Sequence, residues 1–158
     1  AWAEEARCFV NEEFMVDDLG ALRRGGRIPA SVAVAGAALD VKPLLVIGED
    51  GKLALTGVAR GRKKGIKQLA EFYKKNVDAS GPSHVALIGH ADCPKDAGRL
   101  RELLLKEDPN LFVLECSIGP VIGSHVGPEM LAVVFWGADK RDNMSVADRI
   151  ARKVKGER

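Results

Sequence analysis

The chain has 158 residues, of which 46% are hydrophobic and 29% are charged, a composition that excludes a disordered chain and fits one globular domain with its own core. The formal net charge of +2 is too small to indicate a nucleic-acid partner by itself. No apolar run approaches the roughly 20 residues that span a bilayer, so we expect no transmembrane segment.

The first residues have the pattern of a helix end. Apolar residues fall on one side of a helix drawn over 1–10, and we assign residues 1–13 to the end of a preceding helix or to an interdomain segment. Residues 1–5 are acidic where a signal peptide would be basic, which favours a protein that is not exported. Three cysteines without a Cys-x-x-Cys pair indicate a reducing cytoplasm, and we expect no metal ion and no cofactor.

Turn signals divide the next part of the chain into short elements. A strand is predicted over 14–16, after which Asp17 and Asp18 can cap a short helix that ends at glycines 25–26. Small residues over 31–39 predict a helix that packs closely against a sheet or a ligand wall.

The order of the remaining elements is typical of an α/β fold. Apolar segments at 43–47 and 52–58 flank Asp50-Gly51, which predicts a β-hairpin and therefore a mixed sheet with helices packed on it. Helical spacing predicts a helix over 61–77. The other predicted elements are a strand, a helix and two strands at 84–89, 94–107, 111–116 and 130–136.

Two of these strands are apolar on successive residues, at 85–88 and 131–135, so both of their faces avoid water. One face of the sheet could line a lipid cavity. Helices on both sides of the sheet would explain the same pattern and are the more common arrangement.

A glycine-proline segment at 118–128 sets one serine and one histidine between two apolar strands. We interpret it as a loop in which glycines allow close backbone approach and prolines restrict the alternatives, so that His125 is presented with little freedom. Its imidazole could orient a carboxylate. A histidine that satisfies a buried carbonyl would fit the local pattern equally well.

Cys93 raises an enzymatic alternative, because a cysteine at a helix N-terminus can have a lowered pKa and His90 lies three residues away. A simpler reading makes Asp92 or Cys93 the helix cap, with Pro94 in the first turn. We favour the cap.

Several short motifs then occur in a fixed order. Together they resemble the C-terminal domain of the DegV family of bacterial fatty-acid-binding proteins, and the resemblance covers a domain at 14–137. The motifs are Val-Asp-Asp-Leu at 16–19, Arg-Gly-Gly-Arg-Ile at 24–28, Val-Lys-Pro-Leu-Leu at 41–45, Val-Ala-Arg at 58–60 and the segment at 118–128.

This resemblance implies a function in lipid binding. Proteins of that family hold one long-chain fatty acid between two α/β domains and present its carboxylate to a separate kinase subunit, which makes the acyl phosphate. The binding protein is a carrier in the cytoplasm and is not itself the enzyme. The N-terminal domain of the family, which also contacts the carboxylate, is missing from these residues.

The resemblance also implies the ligand-binding residues. His125 would join the hydrogen-bond network at the carboxylate, with Ser124 and Gly123 beside it, and Arg27 would lie near the head group, where a guanidinium complements an anion. The family reads Thr-His-Thr-Gly-Pro-Gly in this segment. Here the first, third and sixth of these positions hold Ser124, Val126 and Glu129, and the valine removes a hydroxyl group.

The densest basic stretch lies at 60–75. The resemblance implies that Arg60, with Arg62 as the close alternative, lies on the surface offered to the kinase subunit, where rim charges raise association rates. A solvated helix face explains most such runs. The runner-up function is a basic nucleic-acid or regulatory binding module, although no RNA-binding motif is present and we expect no nucleic-acid partner.

Residues 138–158 extend beyond the family pattern. Ser145 and Asp148 resemble a capping box, and Val146, Ile150 and Val154 form a narrow apolar stripe. We predict an amphipathic helix there.

Overall fold

The computed structural model describes residues 2–17, 19–28, 41–48, 51–82 and 84–141. The described helices are α1 (Trp2–Ala6), α2 (Gly20–Arg24), α3 (Arg62–Asn76), α4 (Pro94–Glu107) and α5 (Pro120–Val126). The described strands are β1 (Val10–Met15), β2 (Val41–Ile47), β3 (Leu53–Arg60), β4 (Val85–His90), β5 (Phe112–Ser117) and β6 (Leu131–Trp136). The predicted α/β class is confirmed.

The strands form one sheet in the order β3-β2-β1-β6-β4-β5. Strands β4 and β5 are parallel, while all other neighbouring strands are antiparallel. The sheet is therefore mixed, as the predicted hairpin indicated. Between β2 and β3, Gly51 adopts a positive φ of 76°, which suits the glycine of an Asp-Gly turn. Strand β1 lies at the centre of the sheet, between β2 and β6.

One face of the sheet is covered by α3 and α4. Ile66, Leu69 and Tyr73 recur at helical spacing along α3 and are almost fully buried, and α4 buries Leu100 and Leu104 in the same cluster. Each such large apolar side chain stabilises the fold by about 1.5–3 kcal/mol relative to exposure. This cluster is the main core of the domain.

The opposite face of the sheet carries a second, smaller cluster under α2 and α5. Phe14 in β1 pairs with Leu45 of β2 on one side and with Ala132 of β6 on the other, and directly paired residues share a face. The same registers place further apolar side chains on this face, and these are between 37% and 62% exposed. We call them the open face: Val10, Ile47, Leu55, Val58, Phe112 and Leu114.

The N-terminal prediction is wrong in its boundaries. The first helix ends at Ala6, and β1 begins at Val10, so the expected boundary between 13 and 14 falls inside a strand. Val10 pairs with Trp136, and the Phe9 ring stacks on the Trp136 indole with ring centroids 5.4 Å apart. Pairing with a strand from the far end of the chain therefore overrides the local helical pattern.

The predicted cap of α2 by Asp17 is also corrected, while Asp18 lies outside the described residues. Leu19 occupies the N-cap position without a side-chain hydrogen bond. Asp17 instead accepts a hydrogen bond from Lys42 Nζ at 2.5 Å, so its carboxylate is engaged by the neighbouring strand. The predicted helix end is confirmed, because the Gly25 N–H bonds to the Ala21 carbonyl at 3.0 Å.

Two predicted helices, at 31–39 and 145–154, lie outside the described residues. Among the helices that the structure describes, the longest has 15 residues, and none is long and apolar enough to cross a membrane.

Candidate functional site

The glycine-proline segment is a short helix rather than the loop that we expected. Gly119 is the N-cap of α5, Pro120 occupies the first helical position, and Gly127 ends the helix with a positive φ of 78°. A proline just inside the start and a glycine just past the end suit helix termini. His125 consequently lies in the last turn of a helix, which fixes its direction more tightly than a loop would.

His125 packs directly against the end of α2. A Cβ atom built on Gly25 would lie 2.7 Å from Nδ1 of His125, closer than real Cβ atoms approach another atom. Gly127 makes a similar close contact, since its Cβ would lie 3.3 Å from the Cβ of Ala21. Two glycines therefore allow α2 and α5 to meet with the imidazole between them.

Arg27 completes this arrangement. Its Nη2 lies 3.4 Å from Nε2 of His125, and its Nη1 donates to the Gly25 carbonyl at 2.6 Å. A guanidinium can only donate, so Nε2 accepts and the neutral ring carries its proton on Nδ1. The exposed guanidinium still has N–H groups for an anion. The structure thus brings together two residues that the sequence predicted separately.

The other predicted ligand residues lie on the same helix. Ser124 is exposed, and its hydroxyl donates to the Val121 carbonyl at 2.9 Å, so its oxygen lone pairs stay available as acceptors. A Cβ on Gly123 would meet nothing within 4 Å, which leaves space beside the helix. Val126 is 7% exposed in the cluster beneath α5, so the methyl group that replaces a hydroxyl here fills core space.

Arg62 does not lie at an exposed rim. Its side chain is 18% exposed, it forms an ion pair with Asp96, and its Nη2 donates to the Glu129 carbonyl at 2.7 Å. Arg60, in contrast, is exposed and stands two residues after Val58 in β3, on the open face. Arg60 and Arg62, which were predicted as alternatives for the partner-binding surface, therefore have different surroundings.

The rest of the basic stretch follows the surface of α3. Lys63, Lys64 and Lys67 are exposed, and Lys74 forms an ion pair with Glu107 of α4 at 2.8 Å. Exposed lysines of this kind are typical of a solvated helix face.

The cysteine-histidine pair lacks the geometry of a catalytic dyad. Cys93 is the N-cap of α4, its thiol donates to the Met130 carbonyl at 3.3 Å, and its backbone N–H donates to Nδ1 of His90 at 3.3 Å. Burial raises the pKa of the Cys93 thiol, which disfavours a thiolate nucleophile. Cys93 thus occupies the N-cap position of α4, as the sequence predicted, although no side-chain hydrogen bond caps the helix.

Sequence reasoning missed several residues that shape the site. Gly25 had a detectable signal in its Gly-Gly-Arg-Ile motif, but its contact with His125 joins distant parts of the chain. Asp96 and Glu129 gave no local sign of their link to Arg62. The open face had a weak signal, since β3 and β5 carry apolar residues at alternating positions.

Comparison with known proteins agrees with this architecture. A DegV domain-containing protein of Clostridium perfringens is 38% identical over 140 residues, which cover 89% of this chain and 48% of that protein. The crystal structure of a fatty acid binding DegV family protein from Streptococcus agalactiae has a TM-score of 0.74 and 30% identity, with coverage of 85% of this chain and 47% of that one.

A more distant likeness shows the same fold. The Fatty Acid Kinase (Fak) B3 protein of Streptococcus pneumoniae, solved with linoleic acid, has a TM-score of 0.74 at 16% identity, covering 83% of this chain and 46% of that one. The chain thus spans about half the length of the relatives it matches. The family model described as "Uncharacterised protein, DegV family" matches residues 1–137. The chain belongs to the DegV family.

Proposed function

We propose that this chain supplies one part of a long-chain fatty-acid site in a cytoplasmic carrier protein. Arg27 and His125 would receive the carboxylate, and the apolar face of the sheet beside them would line the acyl chain. The observation that carries this proposal is the 3.4 Å contact between Arg27 and His125.

The chemistry of that contact suits a carboxylate. Arg27 supplies a permanent positive charge with free donors, and charge-assisted hydrogen bonds to carboxylates are among the stronger ones in proteins. The contact with Nε2 of His125 helps to hold this guanidinium in place, while Nδ1 of the ring packs against Gly25. The Ser124 oxygen and the space beside Gly123 lie on the same helix.

The acyl chain requires an apolar surface, which the open face provides. A buried CH₂ group contributes about 0.8 kcal/mol, so a long acyl chain depends on being enclosed on all sides. One sheet face encloses it only on one side. We therefore place the rest of the enclosure in the part of the complete protein that these residues do not include, the N-terminal domain of the family.

Named relatives support the lipid class. The Streptococcus agalactiae relative, at 30% identity, is described as fatty acid binding. The Streptococcus pneumoniae protein carries linoleic acid and the name of a fatty acid kinase protein, but at 16% identity its likeness concerns the fold alone.

We further propose that the complete protein is a fatty-acid carrier. The complete protein would present the carboxylate to a separate kinase subunit and would not catalyse the transfer itself. The support is the family resemblance together with the position of Arg60, an exposed cation at the edge of the open face. Such a charge suits a docking surface for an acidic partner.

Mass spectrometry of lipid extracted from the intact purified protein tests the ligand class. We expect a long-chain fatty acid in stoichiometric amount, and fatty-acid titration should show that Arg27→Gln weakens binding by about tenfold, the usual loss with one charged hydrogen bond. Arg24→Gln is the matched control, because Arg24 is exposed in the last turn of α2. Extracts without fatty acid, or equal losses in both variants, would contradict the proposal.

The histidine is tested separately. His125→Ala in the intact protein should lower fatty-acid affinity or phosphorylation by the kinase subunit while the circular dichroism of the fold is retained. If the fatty-acid affinity and the phosphorylation are both unchanged, His125 has no part in the site.

A further inference from the structure

The segment that follows α5 is tied to the turn between β4 and α4. The Ala91 N–H donates to the Met130 carbonyl at 2.9 Å, and the Glu129 N–H donates to the Ala91 carbonyl at 2.6 Å. At the other end of α5, the Ile118 N–H donates to the His90 carbonyl at 2.8 Å. The helix that carries the histidine of the site is therefore held at both ends by the carboxyl end of β4.

A side-chain link reinforces one of these two ends. Arg62, the first residue of α3, uses Nε for its ion pair with Asp96 and Nη2 for the Glu129 carbonyl at 2.7 Å. Asp96 is also paired with Arg99 Nη1 at 2.7 Å. Burial by itself raises the pKa of Asp96, but its bonds to both arginines outweigh that effect and hold the pKa below its ordinary value.

The backbone at this anchor is under strain. Glu129 has a positive φ of 62°, and Asp92 in the facing turn has a positive φ of 57°. Non-glycine residues persist in this region only where the surrounding structure holds them. The guanidinium of Arg62 supplies such a constraint, because it bonds to the carbonyl of Glu129 and to the carboxylate of Asp96 in α4 at the same time.

We infer that Arg62 is a positioning residue for the fatty-acid site, which sets the placement of α5 and hence of His125 by bridging Asp96 to the Glu129 carbonyl. Arg62 acts through the segment after α5, only four residues beyond His125. This role rests on the proposed function for its ligand, although the placement of the imidazole is a property of the protein alone.

The test uses Arg62→Lys in the intact protein. Lysine keeps the positive charge beside Asp96, so the fold is retained. Its single ammonium group, however, replaces the planar guanidinium that bonds to both Asp96 and the Glu129 carbonyl. Arg99→Gln is the matched control, since Arg99 also pairs with Asp96 but has a side chain 58% exposed and is not bonded to the segment after α5.

The first measurement is the NMR chemical shifts of the His125 ring nitrogens in lipid-free protein, which are assigned as the signals missing from the spectrum of a His125→Ala variant. We expect Arg62→Lys to shift them and Arg99→Gln to leave them unchanged. The second measurement is fatty-acid affinity, which should fall by about tenfold in Arg62→Lys and stay within about twofold in Arg99→Gln.

The outcomes separate the two claims. Unchanged His125 shifts in Arg62→Lys, or equal shifts in both variants, would overturn the positioning role. If the His125 signals shift in Arg62→Lys and not in Arg99→Gln, the positioning role is supported, even when neither the variants nor the parent protein bind fatty acid. That last result would refute the proposed function only.

Discussion

His125 occupies the space that a side chain at Gly25 would need, with Nδ1 only 2.7 Å from the Cβ position of that glycine. Gly25→Ala should therefore push the imidazole away from α2 and break its contact with Arg27. Because a ring at the end of a short helix can move, we expect a loss of about 1 kcal/mol or less in the free energy of unfolding. Fatty-acid affinity of the intact protein should fall by about tenfold.

The matched control for this change is Gly98→Ala. Gly98 lies in α4, and a Cβ there meets nothing within 4 Å, so alanine should raise the free energy of unfolding by about 0.5–1 kcal/mol through its helix propensity. Its fatty-acid affinity should match that of the parent protein. Urea unfolding and lipid titration measure both effects, and normal affinity in Gly25→Ala would refute the role of this contact.

Arg60 gives a prediction about partner choice. Charge reversal in Arg60→Glu should slow association with the kinase subunit by about tenfold at low salt and leave lipid content unchanged, because rim charges act mainly on encounter. Added salt should shrink the effect as screening increases. Lys63→Glu, a reversal at an exposed position on α3, should have a smaller effect. Loss of lipid without slower association would show that Arg60 belongs to the ligand site.

The backbone at Glu129 predicts a difference in stability between two substitutions at this position. Glycine accepts the φ of 62° without the steric penalty of a Cβ atom, so Glu129→Gly should exceed Glu129→Ala in stability by about 1 kcal/mol. Both variants lose the weak ion pair with Arg62, whose atoms lie 3.9 Å apart, so the comparison isolates the backbone. Thermal or urea unfolding measures the difference. A more stable alanine variant would contradict the strain argument.

Glu13 gives a prediction about pH. Burial raises its pKa above 4.5, and the hydrogen bond from Thr56 at 2.7 Å only partly offsets this effect. A raised folded-state pKa contributes stability below the unfolded value of 4.5, and that contribution is lost as the pH rises through the folded value.

Glu13→Gln removes this titration. We expect the variant to be more stable than the parent at neutral pH, with an advantage that shrinks as the pH falls towards and below 4.5. Denaturant unfolding across this range measures it. Glu5→Gln, exposed on α1, should show no such trend. A constant difference at every pH would mean that the effect does not come from proton binding.

Local patterns predicted much of the fold. The amphipathic spacing of α3 and α4 was sufficient to place both helices, and Pro94 marked the start of α4 correctly. The Asp-Gly turn predicted the hairpin, because the local backbone requirement of that turn is strong. These elements are determined by residues that are close together in the chain.

The sequence-based predictions failed where the local structure depends on residues that are distant in the chain. The start of β1 depends on its pairing with β6, which no local pattern shows. The turn residues of α5 suggested a loop because glycine and proline occur within and around it, although the same residues suit helix ends. Arg62 was grouped with its basic neighbours, whereas its burial depends on Asp96, which lies in the next helix.

The central position of β1 also bears on how the domain forms. Strand β1 is the first strand of the chain and pairs along its whole length with β6, the last described strand, from Val10 with Trp136 to Met15 with Leu131. Closing so long a loop has a large entropic cost before any contact is gained, and such non-local pairing slows folding. During synthesis, the hairpin and the α3–α4 region can form early, but the sheet stays in two pieces until β6 has left the ribosome.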